Sequence, residues 1–141
     1  MLDTGVLVAA VRSGRGASRQ MLVAGLNGRC SLLISVPLMI EYQAVLVRQE
    51  HLDAARLSVV EIGELLAAIA SVAVPVRLAY LWRPMLRDPD DEMVLETAVN
   101  GGADYLCTLN MRDFAPASRF GIEVVNPGRA WSLVEKAYEK K

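Results

Sequence analysis

Short apolar segments that are typical of buried β-strands alternate along this chain with longer segments that are typical of amphipathic helices. The segments at residues 31–36 and 104–109 have the length and apolar content of strands that are buried on both faces. Between them, residues 57–71 carry apolar side chains at the spacing i, i+3, i+4 and i+7, which places them on one helical face. Strands that alternate with helices predict an α/β fold with a mostly parallel sheet and helices on both of its faces.

The same alternation extends over the rest of the chain. The segment 2–11 is β-rich at its start, and Asn126-Pro127-Gly128 is typical of a turn. We predict helices at residues 16–28, 37–49, 57–71, 93–99 and 129–139, and strands at residues 31–36, 72–78, 104–109 and 122–125. Since no repeat, low-complexity tract or linker interrupts the pattern, we expect a single domain over residues 1–141.

Composition restricts the classes of function. Hydrophobic residues make up 53% of the chain, which predicts a packed globule rather than a disordered chain. No apolar run reaches the roughly 18 residues that suggest a membrane span, and the start MLDTGVL lacks the basic region of a signal peptide. The net charge of −1 argues against a broad basic surface, so any contact with nucleic acid has to be local, or assisted by metal ions or a second subunit.

The cysteines and the histidine exclude several kinds of site. Cys30 and Cys107 lie far apart in apolar surroundings and form no metal-binding motif, so we interpret both as buried free thiols in a reducing cytoplasm. The one histidine, His51, lies between Glu50 and Leu52 and has no nucleophile nearby. It is predicted to be a solvated surface residue. We therefore expect neither a structural zinc site nor a serine–histidine or cysteine–histidine catalytic pair.

In parallel sheets, functional sites form beyond the carboxyl ends of the strands, so acids near predicted strand ends are the candidates. Asp3 fits either an ordinary turn or a functional acid that leaves the first strand. Glu41 interrupts one apolar stripe of its predicted helix, whereas a second stripe, Met39–Tyr42–Leu46, would leave it in water. If Glu41 is buried, its charge needs a partner or a metal ion.

The segment DPDDE at residues 88–92 concentrates acids in one place. Asp88 as N-cap, Pro89 at the first helical position and Asp90 in the first turn make a complete helix-start signature. Each such acid gains roughly 0.3–1 kcal/mol from the helix dipole. Asp91 is explained less well in this way, because it begins the apolar face of the predicted helix and should point inward.

A last set of polar residues follows the predicted strand 104–109. Thr108, Asn110 and Asp113 lie at its carboxyl end, although a polar turn that caps a short helix is the alternative. The acids that could converge at one end of the sheet are Asp3, Glu41, Asp91 and Asp113. Such a set suits Mg²⁺ or Mn²⁺, and a metal pair can activate water and stabilise the leaving oxygen of a phosphodiester. Without metal, the carboxylates should raise each other's pKa.

Over nearly the whole chain, these motifs resemble those of the PIN-domain nucleases. The segment LDTGVLVAA is similar to the family's opening Asp-Thr-Asn-x-Leu motif, with Asp3 as the first acid and Thr4 as its threonine. SVPLMIEYQAVL is similar to the second motif, in which Glu41 is the second acid. The segment 88–114 resembles the Asp-Pro-Asp-Asp stretch and the Thr-x-Asp/Asn-x-x-Asp-Phe loop of the VapC-like toxin components of toxin–antitoxin pairs.

By this resemblance, Asp91 takes the third acidic position and Asp113, or Asn110 with it, takes the fourth. The resemblance implies a three-layer α/β/α Rossmann-like fold, Mg²⁺- or Mn²⁺-dependent cleavage of single-stranded RNA, a homodimer, and an antitoxin as inhibiting partner. The chain departs from the family pattern at Gly5, where asparagine is usual, and at Asn110, where many members have aspartate. The family also usually has several apolar residues before the first acid, so we expect a shortened first strand or a start further upstream.

The leading hypothesis is a metal-dependent endoribonuclease. Asp3, Glu41 and Asp91 would hold the primary metal ion, and Asp113 would hold a second ion or orient water. Thr108 and Asn110 would steady an acid or the scissile phosphate. The candidate phosphate contacts are Arg12, Arg15, Arg19, Arg48 and Arg112, for each of which an ordinary surface position is the alternative.

Two other classes stay open at this point. The first is a catalytically weakened PIN-like protein that only binds a partner, which the departures at Gly5 and Asn110 allow. The second is a receiver domain of signalling proteins, which also gathers acids around Mg²⁺ at the end of a parallel sheet. A receiver would carry paired acids after the first strand and a lysine after the last, and this chain has neither.

Overall fold

The computed structural model describes residues 1–79 and 86–139. The α-helices of this part are α1 (Thr4–Arg12), α2 (Ala17–Leu26), α3 (Val36–Leu46), α4 (Gln49–Ala55), α5 (Val59–Val72), α6 (Pro89–Asn100) and α7 (Pro127–Glu139). The strands are β1 (Leu33–Ile34), β2 (Val74–Pro75), β3 (Tyr105–Cys107) and β4 (Glu123–Val125), and a 3₁₀ helix covers Ala115–Phe120.

The strands are short and pair in parallel. β1 pairs with β2 and β3 pairs with β4, while Leu2 forms a parallel bridge with Cys107 of β3. The bridge is closed by the Cys107 amide, which donates to the Met1 carbonyl at 2.8 Å, and by the Asp3 amide, which donates to the Cys107 carbonyl at 2.9 Å. Helices that alternate with parallel strands confirm the Rossmann-like α/β class.

The start of the chain is less β-like than we predict. In the segment 2–11, only Leu2 pairs with a strand, and α1 begins at Thr4 with Asp3 as its N-cap. The run after Asp3 mixes three valines with one leucine and two alanines, so local propensity does not decide between strand and helix, and burial of the helical face Val6, Leu7, Ala10 and Val11 does. This puts Asp3 at a junction between extended and helical backbone.

Other predicted elements are confirmed with shifted bounds. The predicted helices at 16–28, 57–71 and 93–99 correspond to α2, α5 and α6, and the predicted strands correspond to β1–β4 with fewer residues each. Gly28 ends α2 in the left-handed region at φ 77°, a conformation that favours glycine. The predicted helix 37–49 begins one residue earlier and ends at Leu46, because Ser35 caps its start.

One prediction about local structure is wrong, and two short helices were not predicted. The turn at Asn126-Pro127-Gly128 is the start of α7: Asn126 Oδ1 accepts a hydrogen bond from the Arg129 amide at 2.8 Å, as an N-cap does. The helix α4 and the 3₁₀ helix at Ala115–Phe120 were not predicted, because both are short and carry a weak apolar period.

The core is continuous from the first residues to the last helix and includes Leu7, Leu38, Leu106, Phe114 and Val134. A cavity of about 510 Å³ lies at the amino ends of the strands, lined by Met1, Leu33 and Tyr105 among others. The acids of the predicted site are not among its lining residues, since they lie at the carboxyl ends. No helix in the described ranges is long and apolar enough to cross a membrane.

Candidate functional site

The first predicted acid lies beside the carboxyl end of β3, as the sequence predicts. Asp3 follows the bridged Leu2, and Thr108 follows β3, so both lie at the carboxyl ends of neighbouring parallel segments. The Thr108 hydroxyl donates a hydrogen bond to Asp3 Oδ2 at 2.8 Å, and both residues are buried. The prediction that Asp3 and Thr108 deliver side chains to one place is therefore confirmed.

Burial dominates the charge state of Asp3. Burial raises the pKa of its carboxyl, while the Thr108 hydroxyl and the nearby amides of Thr4 and Gly5 lower it. Neither amide lies in the geometry of an N-cap hydrogen bond to the side chain. The Thr4 hydroxyl oxygen is buried without a hydrogen-bond partner in the described structure, so a polar group beside Asp3 is left unsatisfied.

The loop after β3 is organised by its own polar side chains. The Asn110 amide donates to the Thr108 hydroxyl at 2.9 Å, so Thr108 accepts from the loop and donates to Asp3. Asn110 Nδ2 donates to Asp113 Oδ2 at 2.5 Å. Buried Phe114 anchors the end of this loop in the core. Asn110 thus positions Asp113 by donating a hydrogen bond to it. An ionised aspartate at position 110 could not do this, because it has no proton to donate.

The acidic segment at 88–92 is both a helix start and part of the acid cluster. Asp88 caps α6, because its side chain accepts from the Asp90 amide at 2.9 Å, and Pro89 opens the helix as predicted. Asp91 is half-buried, in line with buried Val94 on the same face. Burial and then the charges of Asp3, Asp88, Asp113 and Asp90 raise the pKa of Asp91 to about 6.

Glu41 lies at the edge between the two stripes of its helix. Leu38 and Tyr42 are buried, whereas Glu41 is half-buried, so neither of the two alternatives predicted for α3 holds completely. Burial raises the pKa of Glu41, with further contributions from Asp90, Asp88 and Asp3, and Arg48 lowers it. Glu41 therefore lies within the field of the same acids that surround Asp91.

The four predicted acids form one electrostatic cluster. Each of Asp3, Glu41 and Asp91 has a raised pKa, and the charges of Asp3 and Asp113 act on Asp91. Over the described ranges, no arginine, lysine or histidine lies within ion-pair distance of these acids. No three acid, histidine or cysteine side chains there lie close enough to share one ion as the side chains stand. The cluster is thus a set of carboxylates that repel one another.

The chemistry of these groups fits a divalent cation. Carboxylates, a hydroxyl and an amide oxygen are hard ligands, which Mg²⁺ and Mn²⁺ prefer over the soft ligands that zinc selects. A cation would also satisfy the unpartnered Thr4 hydroxyl directly or through water, and it would remove the repulsion that raises the pKa of Asp91. Within the described residues, shared coordination of one ion by three of these side chains requires side-chain movement.

The sequence did not single out Tyr42, which supports the same region. The Tyr42 hydroxyl donates to the Leu2 carbonyl at 2.5 Å and is buried, so it fixes the residue before Asp3. Burial and then the charge of Asp3 raise the pKa of Tyr42, which keeps its hydroxyl protonated as a donor. The apolar stripe that contains Tyr42 was visible, but its hydroxyl contact depends on the tertiary fold.

The predicted phosphate contacts have different surroundings. Arg48 precedes α4 and is the cation that lowers the pKa of Glu41. Arg19 Nε donates to the Ala10 carbonyl at 2.7 Å and to that of Ser13 at 3.4 Å, so part of this guanidinium is used to close the end of α1. Arg15 and Arg112 are exposed.

Two predictions about titratable residues outside the cluster need correction. His51 is not a solvated surface residue: its side chain is 12% exposed, and its Nδ1 lies 3.3 Å from a guanidinium nitrogen of Arg12. The cause is the packing of α4 against α1. Cys107 is a buried free thiol, as predicted, with a pKa that burial raises to about 12, but Cys30 is only half-buried.

The protein therefore combines a Rossmann-like α/β fold with carboxylates gathered near the carboxyl ends of its parallel strands. The PIN domain family model matches residues 1–112, and the chain belongs to that family. PIN domains are generally nucleases, so the chain has a nuclease-type fold whose substrate class is nucleic acid. No curated protein and no solved structure matches the chain.

Proposed function

We propose that this protein is a Mg²⁺- or Mn²⁺-dependent endoribonuclease that cleaves single-stranded RNA. The observation that carries the proposal is the gathering of Asp3, Asp91 and Asp113: burial first, and then the charges of Asp3 and Asp113 among others, raise the pKa of Asp91 to about 6. A protein keeps repelling carboxylates together at the cost of stability, and sites for cations are a common reason. Membership of the PIN family supports the same reaction class.

The roles of the acids follow from their positions. Asp3, Glu41 and Asp91 would hold the primary ion, and Asp113 would hold a second ion or orient water. Divalent ions at such a site supply Lewis-acid activation and charge neutralisation for phosphodiester hydrolysis. Thr108 keeps Asp3 oriented through its 2.8 Å hydrogen bond, and Asn110 does the same for Asp113 at 2.5 Å.

RNA would be held next to the acids by a small number of cations. Arg48 is the best placed, because it acts electrostatically on Glu41 and therefore lies beside the cluster. Arg12 lies further along α1, about 14 Å from Asp3 at 1.5 Å per helical residue, and would contact a phosphate one or two nucleotides away. Arg15 and Arg112 are exposed and could contact the RNA backbone. Arg19 is less available, because its Nε donates a hydrogen bond to the Ala10 carbonyl.

The test is cleavage of a labelled single-stranded RNA in Mn²⁺, with and without a chelator. Wild-type protein should cleave only with metal, and Asp91→Asn should lose cleavage while keeping the fold. Asp53→Asn is the matched control, since Asp53 is an exposed acid on α4 whose carboxylate accepts a hydrogen bond from Gln49. Cleavage by Asp91→Asn at the wild-type rate, or cleavage that survives the chelator, would overturn the proposal.

We further propose that the protein is the toxin of a toxin–antitoxin pair and works in the cytoplasm. We also propose that residues 1–141 form a single domain and that the protein acts as a homodimer. The resemblance of segment 88–114 to VapC-like proteins supports the toxin role and an antitoxin protein as inhibitor. The continuous core from Met1 to Val134 supports the single domain. Induced expression should arrest growth for the wild type and not for Asp91→Asn, whereas equal growth of the two would contradict the toxin role.

A binding protein without catalysis is the second candidate. The observation in its favour is that the four acids do not stand close enough to share an ion without side-chain movement, within the part of the chain that the structure describes. The cleavage assay separates the two candidates when combined with an RNA-binding measurement. Binding of RNA by the wild type without any metal-dependent cleavage would favour this second candidate.

A further inference from the structure

Two buried hydroxyl groups join the helices that carry Glu41 and Asp91. Ser35 is the N-cap of α3, and its Oγ accepts a hydrogen bond from the Leu38 amide at 3.3 Å. The same Oγ lies 2.6 Å from Oγ1 of Thr97, which is on α6. Ser35 is 4% exposed and Thr97 is 0% exposed, so water does not compete for this contact.

The proton count fixes the direction of the contact. Thr97 Oγ1 donates to the Met93 carbonyl, one turn earlier on α6, at 2.7 Å. A hydroxyl has one proton to donate, so Ser35 is the donor to Thr97. A continuous chain of hydrogen bonds therefore runs from the Leu38 amide through both hydroxyls to the Met93 carbonyl, and replacing either hydroxyl leaves the other one short of a partner.

The contact is placed where it can control the separation of the two acids. Glu41 lies six residues after Ser35 and Asp91 lies six residues before Thr97, so each is about 9 Å along its helix from the contact. The charges of Asp90 and Asp88 act on Glu41, which places the later part of α3 beside the start of α6. Both acids thus lie on the same side of the contact.

The far end of α6 is fixed as well. A Cβ at Gly101, just after α6, would lie 2.8 Å from Leu33 Cδ1 and 2.8 Å from Val76 Cγ2, so this end sits directly against β1 and the chain after β2. With that end held by close packing, the Ser35–Thr97 contact is a second point that ties α6 to the start of α3. It is a buried polar link between these two helices.

We propose that Ser35 and Thr97 are positioning residues that set the spacing of Glu41 and Asp91 for a shared divalent cation; this inference rests on the proposed function. Groups that orient metal ligands without touching the metal typically change metal affinity by about 10–100-fold when they are replaced. Loss of this contact should act in the same way, because it lets α3 and α6 move apart while each acid stays intact.

The test is calorimetric titration of the full chain with Mn²⁺ alone. Ser35→Ala and Thr97→Val should each weaken Mn²⁺ binding about 10-fold, and Thr97→Ser, which keeps the hydroxyl, should restore it. The double variant should bind about as weakly as either single variant, since the two hydroxyls act as one unit. Ser58→Ala is the matched control, because Ser58 is also a serine N-cap, on α5. Its capping box is formed with Glu61, which is not one of the four acids of the predicted site.

The outcomes separate this inference from the proposed function. Mn²⁺ affinity in Ser35→Ala and Thr97→Val equal to that of Ser58→Ala would overturn the inference while leaving the metal site intact. A wild type that binds no Mn²⁺ would overturn both. If Ser35→Ala does not fold, the pair Thr97→Val and Thr97→Ser decides the matter, because both variants keep the cap of α3.

Discussion

At the scale of single residues, the defining feature is a group of carboxylates that form no ion pair with a basic side chain within the described ranges. Asp3 is buried, and Glu41 and Asp91 are half-buried, so each is partly deprived of water, and the charge of Asp3 acts on both Glu41 and Asp91. The hydroxyl of Thr108 is the direct hydrogen-bond donor that offsets this for Asp3. Without a bound cation, the repulsion among these carboxylates should therefore lower the free energy of unfolding.

Asp91→Asn should make the metal-free protein more stable at neutral pH. The folded pKa of Asp91, about 6, lies above the usual aspartate value, so the folded state binds the proton more tightly. Stability is thus highest below about pH 4 for this group and falls as the pH rises to about 6. After allowance for solvent screening of a half-exposed carboxyl, the gain is about 1 kcal/mol, or roughly 3 °C in melting temperature.

Melting curves of both proteins between acid and neutral pH check this prediction, with a chelator present. The difference between them should vanish in acid, because the wild-type carboxyl is then neutral. Saturating Mn²⁺ should stabilise only the wild type. A variant that melts below the wild type at neutral pH without metal would show that Asp91 stabilises the fold instead of straining it.

Thr108→Val should raise the pKa of Asp3 further, because the carboxylate loses its hydroxyl donor in a buried position. We expect metal-dependent cleavage to fall about 10–100-fold and to need a higher pH. Thr108→Ser should retain most of the activity, since it keeps the hydroxyl. Rates measured against pH for the three proteins decide this, and identical profiles for Thr108→Val and wild type would contradict it.

At the scale of elements, helix starts carry the site. Asp3 occupies the N-cap position of α1 without a side-chain cap bond, Ser35 caps α3 six residues before Glu41, and Asp88 caps α6 three residues before Asp91. Local chemistry that begins a helix therefore also sets where each acid stands. This double use explains why the acidic segment at 88–92 holds more acids than a helix start requires.

Asp88→Ala and Asp91→Ala should separate the two uses of this segment. Asp88→Ala removes an N-cap and should cost roughly 0.5–2 kcal/mol of stability while leaving part of the cleavage. Asp91→Ala should abolish cleavage with no loss of stability in the absence of metal. Paired melting curves and cleavage assays at fixed salt measure both effects. An active and normally stable Asp91→Ala protein would return the segment to helix capping alone.

The sequence was sufficient for what depends on local pattern. The α6 start at Asp88-Pro89 and the meeting of Asp3 with Thr108 at the strand ends were predicted, because capping chemistry and parallel topology fix them. The contact of Ser35 with Thr97 and the burial of His51 were not predicted. Each joins residues far apart in the chain, and no periodicity encodes such a pairing.

At the scale of the whole molecule, the charge distribution and the exposed apolar residues suggest how the protein meets its partners. The net charge is −1, so the proposed RNA substrate would have to be held by a few arginines and by bound metal ions. Helix α5 buries Ile62, Leu66 and Ile69 but exposes valines on its other side. Exposed apolar faces of this kind often mark contacts between proteins.

We expect a homodimer in which this exposed face of α5 contributes. Val60 is 70% exposed and Val59 is 57% exposed, so a second copy could cover both. Light scattering should give a mass near twice 15.4 kDa for the wild type. Val60→Glu should shift the mass toward the monomer without changing the melting temperature of the fold. A wild type that is monomeric at all measured concentrations would contradict the dimer.

The most direct test of the metal site is anomalous diffraction from a crystal soaked in Mn²⁺. We predict a manganese peak among the carboxylates of Asp3, Glu41, Asp91 and Asp113, with the nearest oxygens at about 2.1 Å. Asp91→Asn crystals soaked in the same way should show a weaker peak or none. A soaked wild-type crystal with manganese elsewhere and none at these acids would contradict the assignment of this cluster as the catalytic metal site.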